Sequence, residues 1–283
     1  MSWMKIFRVR QLRWALVAAL SCGLLPAWAA INVVAHYKLG EADSGAANNA
    51  VIASGTTPTV GATTLPVIGT PRYSIAGSPQ PRPSRLSVQF NGSTDGFRTP
   101  AVISTATDNF GVEAWVRATS TAGSSQVAYN GNSSTSGWGI FRDGDRWGFL
   151  YGGQTLELTA NSSVDLNTWT HLALVVSGGT STLYKNGAVV HTYLGAPTAL
   201  PEDAFAIGIG APANGEFFSG NIDEVRVFTF AEGEFTPSDL LTGLAYTDPV
   251  VAPAAVPVNA PVWLLAMALA LFAVGAAAVR SRR

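Results

Sequence analysis

The chain has 283 residues, of which only 12% are charged and 29 are glycine, a balance that favours many short strands and turns over helices. Its formal charge of −1 conceals a division: Lys5, Arg8, Arg10 and Arg13 open the chain, Arg280, Arg282 and Arg283 end it, and the stretch between holds 18 acidic against 10 basic residues, a balance of −8. An acidic middle of that size is a poor match for phosphate backbones, so nucleic acid is not an expected partner.

Residues 1–30 read as an export signal. A basic segment ends at Arg13, an apolar one runs from Trp14 to Leu25, and Ala27-Trp28-Ala29 supplies the small residues of a cleavage site. A first membrane anchor is the other reading, but the apolar core is short for one. The single cysteine, Cys22, lies inside this segment, and its flanks fit a lipid-acceptor motif poorly. Cleavage would therefore leave a mature protein with neither disulfide nor thiol chemistry.

Residues 31–245 read as one all-β domain. Val33–Leu39 is the first strand. The Gly-, Ala-, Thr- and Pro-rich stretch from Glu41 to Arg85 is predicted as loop, with short strands around Val51 and Val67. Leu86–Phe90 alternates cleanly and runs into Asn91-Gly92 and Gly96–Pro100. Phe110–Arg117 and Gln126–Tyr129 follow, and Trp138–Arg142 and Arg146–Tyr151 flank Asp143-Gly144 as a hairpin. After Thr155–Thr159 comes Trp169–Val176, apolar on both alternating sets and so predicted as a central strand covered on both faces. Ser181–Tyr184 and Ala188–Tyr193 flank Asn186-Gly187, the strongest short-range hairpin signal, since a type I′ turn needs φ > 0 at both central residues. Ala204–Gly208 and Ile222–Phe228 complete the strands. Pro237–Leu244 is predicted as the one helix, capped by Thr236. Strands at this spacing imply a two-sheet antiparallel sandwich or jelly roll.

The aromatic residues Tyr129, Trp138, Trp147 and Tyr151 form a candidate ligand platform, because sugars stack flat C–H faces on such rings and Gly137, Gly139 and Gly148 leave room beside the tryptophans. The competing reading is core: Trp138, Ile140, Trp147, Phe149 and Tyr151 fall in phase, as inward residues do.

Six motifs in order carry a family resemblance: Val34–Leu39 followed by Glu41-Ala-Asp-Ser-Gly45, Ser87-Val-Gln-Phe-Asn-Gly92, Phe110-Gly-Val-Glu-Ala-Trp115, Trp169-Thr-His-Leu-Ala-Leu174, Leu183-Tyr-Lys-Asn-Gly187 and Gly220–Val227. Together they resemble the laminin G-like (LamGL) jelly roll of the concanavalin A-like lectin/glucanase superfamily. The resemblance implies two curved antiparallel sheets, with ligands on the concave face or the loops at its rim, and leaves the function open. In related sandwiches the aspartate of a terminal D-x-V-R-V strand helps to hold a structural calcium ion against the first strand. Asp223 occupies that position, and Asp43 and Asp95 lie in loops able to add oxygens; the alternative is that Asp223 and Glu224 pair with Arg226 or face solvent.

The superfamily also includes glycoside hydrolases, which need two carboxylates facing one substrate. No strand carries such a pair: Glu113 and Glu157 lack an acidic neighbour at i+2 or i+4, Asp143 and Asp145 straddle a turn, and Asp223 and Glu224 are adjacent and expected on opposite faces. His36, His171 and His191 have no neighbouring cysteine. The expectation is a non-enzymatic surface or matrix protein whose domain binds glycan or protein. A structural matrix protein with no discrete ligand and a concanavalin A-like hydrolase are the alternatives.

Beyond the domain, residues 246–260 form a Pro/Ala-rich linker. Ala260–Val279 are 20 uncharged, mostly apolar residues followed by Arg280-Ser-Arg-Arg283, so residues 261–283 are predicted as a transmembrane helix with a basic cytoplasmic tail. Val256-Pro257 followed by Trp263, the apolar span and the Arg cluster resemble the PEP-CTERM and IPTL-CTERM sorting signals of Gram-negative bacteria, although no Pro-Glu-Pro is present. That resemblance implies export across the inner membrane, processing by an exosortase-like protease and release to the surface or matrix. A plain single-pass anchor is the alternative.

Overall fold

A computed structural model describes residues 31–79, 84–211 and 215–242. The export signal at 1–30, the linker at 246–260 with Val256, Pro257 and Trp263, and the membrane helix at 261–283 lie outside them. Among the described residues no helix is long and apolar enough to cross a membrane.

The described strands are, in chain order, β1 (Ile31–Tyr37), β2 (Val67–Ile68), β3 (Arg72–Ser74), β4 (Ser87–Asn91), β5 (Gly96–Thr99), β6 (Phe110–Ala118), β7 (Ser124–Asn130), β8 (Trp138–Asp143), β9 (Arg146–Tyr151), β10 (Thr155–Ser163), β11 (Thr170–Ser177), β12 (Thr180–Lys185), β13 (Ala188–Tyr193), β14 (Phe205–Ile207) and β15 (Ser219–Phe230). They form two antiparallel sheets. One has the order β13-β12-β11-β6-β15-β4-β3, with β1 also paired to β15; the other has the order β10-β9-β8-β7-β14-β5-β2. The expected two-sheet sandwich is therefore present.

Strand alternation builds the core between the sheets. From β6, Phe110, Val112, Ala114 and Val116 point inward; from β11, Leu172, Leu174 and Val176 do so, and they meet Trp138, Ile140, Trp147, Phe149 and Phe205 of the opposite sheet. Strand β11 lies between β6 and β12 and is buried at every residue but its last, which explains its apolar residues on both faces. The turn after β12 is as expected, with Asn186 at φ 53 and Gly187 at φ 79. In the β8–β9 hairpin Asp143 pairs with Arg146 inside the ladder, so the turn is Gly144-Asp145, one residue later than predicted. The first strand begins earlier than expected, at Ile31, and ends before Leu39, which turns with φ 47.

Two features of the eight-stranded sheet position the groups discussed below. Along β15, Asp223 pairs with Trp115 and Arg226 with Glu113, so three steps on β15 match two on β6. Glu224, at φ 52, is the extra residue of this bulge. The bulge brings both Asp223 and Arg226 to the outer face, away from the core. There the segment after β15 folds back over the sheet: Phe235 stacks on Phe228 (6.0 Å, 17°), and Leu240 joins Ala173, Val175 and Tyr184 in a second apolar cluster. The helix predicted at Pro237–Leu244 is instead a single 3-10 turn, Pro237–Asp239, after which Leu240 is extended (φ −69, ψ 155). A helix of two turns is marginal by itself, whereas the extended exit leaves Leu240 and Leu241 fully buried, about 1.5–3 kcal/mol for each side chain.

Candidate functional site

The expected aromatic platform does not form, because all four of its residues are buried. Trp138 stacks on Phe110 at 4.2 Å and donates Nε1–H to the Ala106 carbonyl at 2.8 Å. Trp147 stacks on Phe218, and the Tyr151 hydroxyl bonds to that of Ser181. These three fill the space between the sheets, as their shared phase requires. Tyr129 faces the other way, into a cluster with Ala204, Ala206, Ile209 and Ala211, and donates its hydroxyl to the Ser136 carbonyl at 3.0 Å. Together with Ile68, Leu150 and Phe217 that cluster covers part of the outer face of the seven-stranded sheet with the protein's own side chains.

The three aspartates expected to share a calcium ion are not assembled: among the described residues no group of three His, Cys, Asp or Glu is placed to hold a metal. Asp43 accepts from the Thr57 N–H at 2.6 Å and the Tyr73 hydroxyl at 2.9 Å, fastening the loop after β1 to β3. Asp95 is likewise engaged, by Thr70 and by its own turn. Asp223 is different. It is fully buried, its Oδ2 accepts the Ser78 N–H at 2.9 Å, and its Oδ1 has no hydrogen bond among the described residues. Burial pushes its pKa well up, and the neighbouring charges of Glu224 and Glu41 push in the same direction, against the bonding from Ser78.

The ion-pair partner of Arg226 is Glu113. The Arg226 guanidinium bonds to Glu113 from the opposite position on β6, with Nε–H donating to Oε1 at 2.5 Å, and reaches the Asp239 carbonyl at 2.6 Å. Glu113 Oε2 accepts from His171 (2.7 Å) and from the Leu241 N–H (2.9 Å). Burial alone would raise the Glu113 pKa, but Arg226, His171 and the Leu241 N–H together hold it at about 2. Glu224 does not point away from Asp223 to the other face; its carboxylate meets His36 at 2.5 Å, and His36 stands opposite Arg226 in the β1–β15 register. His191 meets Glu157 at 3.1 Å. Each of the three histidines thus has a glutamate partner 34, 58 or 188 residues away, which no local spacing reveals.

An open recess lies at the edge of the eight-stranded sheet, where the turn 91–95 meets β3. It measures about 210 Å³ and is lined by Thr70, Arg72, Gln89, Phe90, Asn91 and Asp95. Val88 and Phe90 of β4 point into the core, so Gln89 points out, and Arg72 of β3 stands directly opposite it. Asp95, 3% exposed, forms the back wall, accepting from the N–H groups of Thr70 (2.9 Å) and Asn91 (3.1 Å) and from the Thr94 hydroxyl (3.3 Å). The close approach needs Gly69: a Cβ there would lie 2.5 Å from Asp95 Oδ1, and φ is 74. The Asn91 side-chain oxygen closes the turn by accepting from Ser93 and Thr94 at 2.9 Å. Arg72 donates from Nη1 to the Asn49 carbonyl at 2.8 Å. Of these lining residues only Asp95 was expected at a site, and then as a calcium ligand. Alternation along Leu86–Phe90 was a signal for Gln89, but Arg72 and Thr70 fall in a stretch predicted as loop.

A model of the laminin G type, described as the concanavalin A-like lectin/glucanases superfamily, matches residues 91–233. No curated protein matches the sequence. Among solved structures, domain 4 of AbnA, an extracellular arabinanase from Geobacillus stearothermophilus, in complex with arabinotriose, is similar with a TM-score of 0.51 at 19% identity, over 75% of this chain and 97% of that one. Trypanosoma rangeli sialidase in complex with 2,3-difluorosialic acid is similar with a TM-score of 0.51 at 16% identity, over 74% of this chain but only 32% of the sialidase, so the chain spans about a third of that enzyme's length. At these identities the likeness is one of fold. The family match covers half of the 283 residues and contains eleven of the fifteen strands, β5 to β15: the chain belongs to the concanavalin A-like lectin/glucanases superfamily.

Proposed function

We propose that the chain is an exported, non-enzymatic binding protein of the cell surface or surrounding matrix, whose sandwich domain binds glycan or protein. The recess at Arg72 and Gln89 carries this reading. It presents polar groups that the fold leaves uncommitted, on a family scaffold that in the arabinanase domain accompanies a bound arabinose oligomer. The carboxylates speak against a hydrolase. Glycoside hydrolysis needs an acid and a second carboxylate open to one sugar, while Glu113, Asp223 and Glu224 are buried and Glu113 is tied up by Arg226 and His171. The test is an array of glycans and matrix polymers, together with protein extracts, probed with the purified full-length chain. Binding without turnover is expected. Silence across glycans, polymers and proteins would leave a purely structural matrix role, and turnover that disappears on Glu157→Gln would restore the hydrolase.

A structural calcium ion belongs to this reading at Asp223 alone. One observation supports it, the buried Asp223 Oδ1 that has no hydrogen bond among the described residues, while the neighbouring Glu224 and Glu41 are bonded to His36 and to Ser84, Arg85 and Leu86, so backbone oxygens or water would have to complete the shell. Asp43 and Asp95 are not gathered with it among the described residues. Export, sorting at Val256, Pro257 and Trp263 and removal of the C-terminal span complete the proposal. Mass spectrometry of released protein is expected to find a C-terminus upstream of Arg283; a tail intact to Arg283 would leave only a plain anchor.

A further inference from the structure

We infer that Phe235–Leu241 is a non-covalent tether. It grips the outer face of the eight-stranded sheet firmly enough that hydrolysis of a peptide bond at 231–234 leaves the sandwich domain attached to the chain that follows, and only a cut beyond Thr242 releases it. The release step rests on the anchoring and removal of the C-terminal span proposed above; the grip rests on contacts within the domain.

Three observations support it. The first is the grip. Phe235 enters the outer apolar cluster, its ring centroid 5.3 Å from that of Phe230, 6.0 Å from that of Phe228 and 6.2 Å from that of Tyr184. Leu240 and Leu241 are fully buried. The sheet also holds the backbone of the segment: the Arg226 guanidinium donates to the Asp239 carbonyl at 2.6 Å, and Glu113 Oε2 accepts the Leu241 N–H at 2.9 Å. Hydrogen bonds to ionised groups are the strong ones, and departure of the segment would take one from each member of a buried ion pair. Apolar pockets for side chains, with polar groups that read the backbone between them, are also what a peptide-binding surface offers to a separate chain, so the grip needs no covalent link. The second observation is the hinge. Ala231, Glu232, Gly233 and Glu234 are all exposed, and their hydrogen bonding among the described residues stays within their own turn, from the Glu234 N–H to the Ala231 carbonyl at 3.0 Å. A protease can reach them, and cutting there breaks none of the contacts that make the grip. The third is preorganisation. The Thr236 N–H donates to the Asp239 carboxylate at 2.7 Å and the Asp239 N–H to the Thr236 carbonyl at 2.9 Å, while Pro237 fixes its own φ. The segment thus holds its bound shape by itself, which lowers the ordering cost that a short peptide pays on binding.

The experiment places the recognition sequence of a site-specific protease in the full-length chain, between Gly233 and Glu234 in one variant and between Pro249 and Val250 in another, and reconstitutes each in phosphatidylcholine vesicles. Melting temperatures equal to the parent's report that neither insertion disturbs the fold. After cutting, the vesicles are sedimented. The hinge cut is expected to leave the domain with the vesicles and the linker cut to free it; a domain freed equally by both cuts overturns the inference. In the hinge variant, Leu240→Ala is expected to raise the dissociation constant of the two fragments at least about tenfold, read by gel filtration in detergent over a dilution series. Phe235→Ala, at a half-buried position, makes the same test with less burden on the fold. Retention unchanged by both substitutions would put the hold elsewhere and overturn the inference as well. Should the insertion lower the melting temperature, the parent chain nicked at Glu232 or Glu234 by a glutamate-specific protease gives the same reading. A domain that sediments after the linker cut, or a chain that does not enter vesicles, would remove the anchoring reading alone. The grip is then decided in detergent after the hinge cut, where fragments eluting together uphold it and fragments eluting apart overturn it.

Discussion

Glu113 and Asp223 are two buried carboxylates on the outer face of one sheet, on adjacent strands, Asp223 standing opposite Trp115 two residues along β6 from Glu113, and their surroundings differ in sign. Around Glu113 the fold gathers a guanidinium, an imidazole and a backbone N–H, which outweigh the cost of burial and hold its pKa at about 2. Around Asp223 it gathers Glu224 and Glu41, with bonding from Ser78 as the compensation, and the pKa rises. Burial is common to both, so partners decide whether a carboxylate is charged. The first cluster fastens the segment after β15 onto the sheet through Leu241 and the Asp239 carbonyl. The second leaves Asp223 Oδ1 without a hydrogen bond among the described residues, as the first leaves His171 Nδ1.

The largest effect should come from breaking the Glu113 cluster. Glu113→Gln removes the charge that faces Arg226 inside the protein, and truncating one partner of a buried pair costs about 3–5 kcal/mol. Denaturant unfolding should show that loss. Asp223→Asn, measured without calcium, should be neutral or stabilising, because it removes an uncompensated charge while keeping an acceptor for Ser78. Equal losses at the two positions would dissolve the contrast.

How much of this was legible beforehand follows from the range over which each signal acts. Strand β11 and the Asn186-Gly187 turn were readable because periodicity and turn chemistry are local. Pro237 and Thr236 did mark a turn start, yet the turn stops at Asp239 because burial of Leu240 and Leu241 outweighs a short helix. The tryptophans of β8 and β9 carried both readings, and only the facing sheet decides for the core. The bulge at Glu224 turned an expected opposite-face pair into two groups on one side, which a strict period of two does not anticipate. Arg72 and Gln89 meet only through strand pairing across a stretch with no strand pattern, so the recess could not have been read from either segment.

A smaller, graded effect should appear with pH, and the two carboxylates predict opposite slopes. The Glu113 pKa is lowered in the folded state, from 4.5 to about 2, so its contribution is fully present above about pH 4.5 and is lost as pH falls towards 2. At about 1.4 kcal/mol per unit this amounts to roughly 3 kcal/mol. The Asp223 pKa is raised, so its contribution is greatest below 3.8 and is lost as pH rises through its folded value. Urea midpoints measured from pH 2 to 8 should therefore lose their acid limb in Glu113→Gln, and decline less between acid and neutral pH in Asp223→Asn. Identical pH profiles for parent and variants would show that neither group titrates as its neighbours dictate.

The smallest expected effect is the most diagnostic, because it asks what completes Asp223. A calcium ion there would supply the positive charge that Arg226 supplies to Glu113. Binding to the folded state alone raises stability by mass action, about 1–3 kcal/mol for concentrations of some ten to a hundred times the dissociation constant. Thermal melts of the full-length chain should then shift upward with calcium and downward with EDTA, by a few degrees. The shift should vanish in Asp223→Asn and persist in Asp95→Asn, whose carboxylate is committed to Thr70 and Asn91. A shift unaltered by Asp223→Asn would place the ion elsewhere. No shift at all would mean that no cation completes Asp223, and that its contrast with Glu113 lies in the protein's own groups alone.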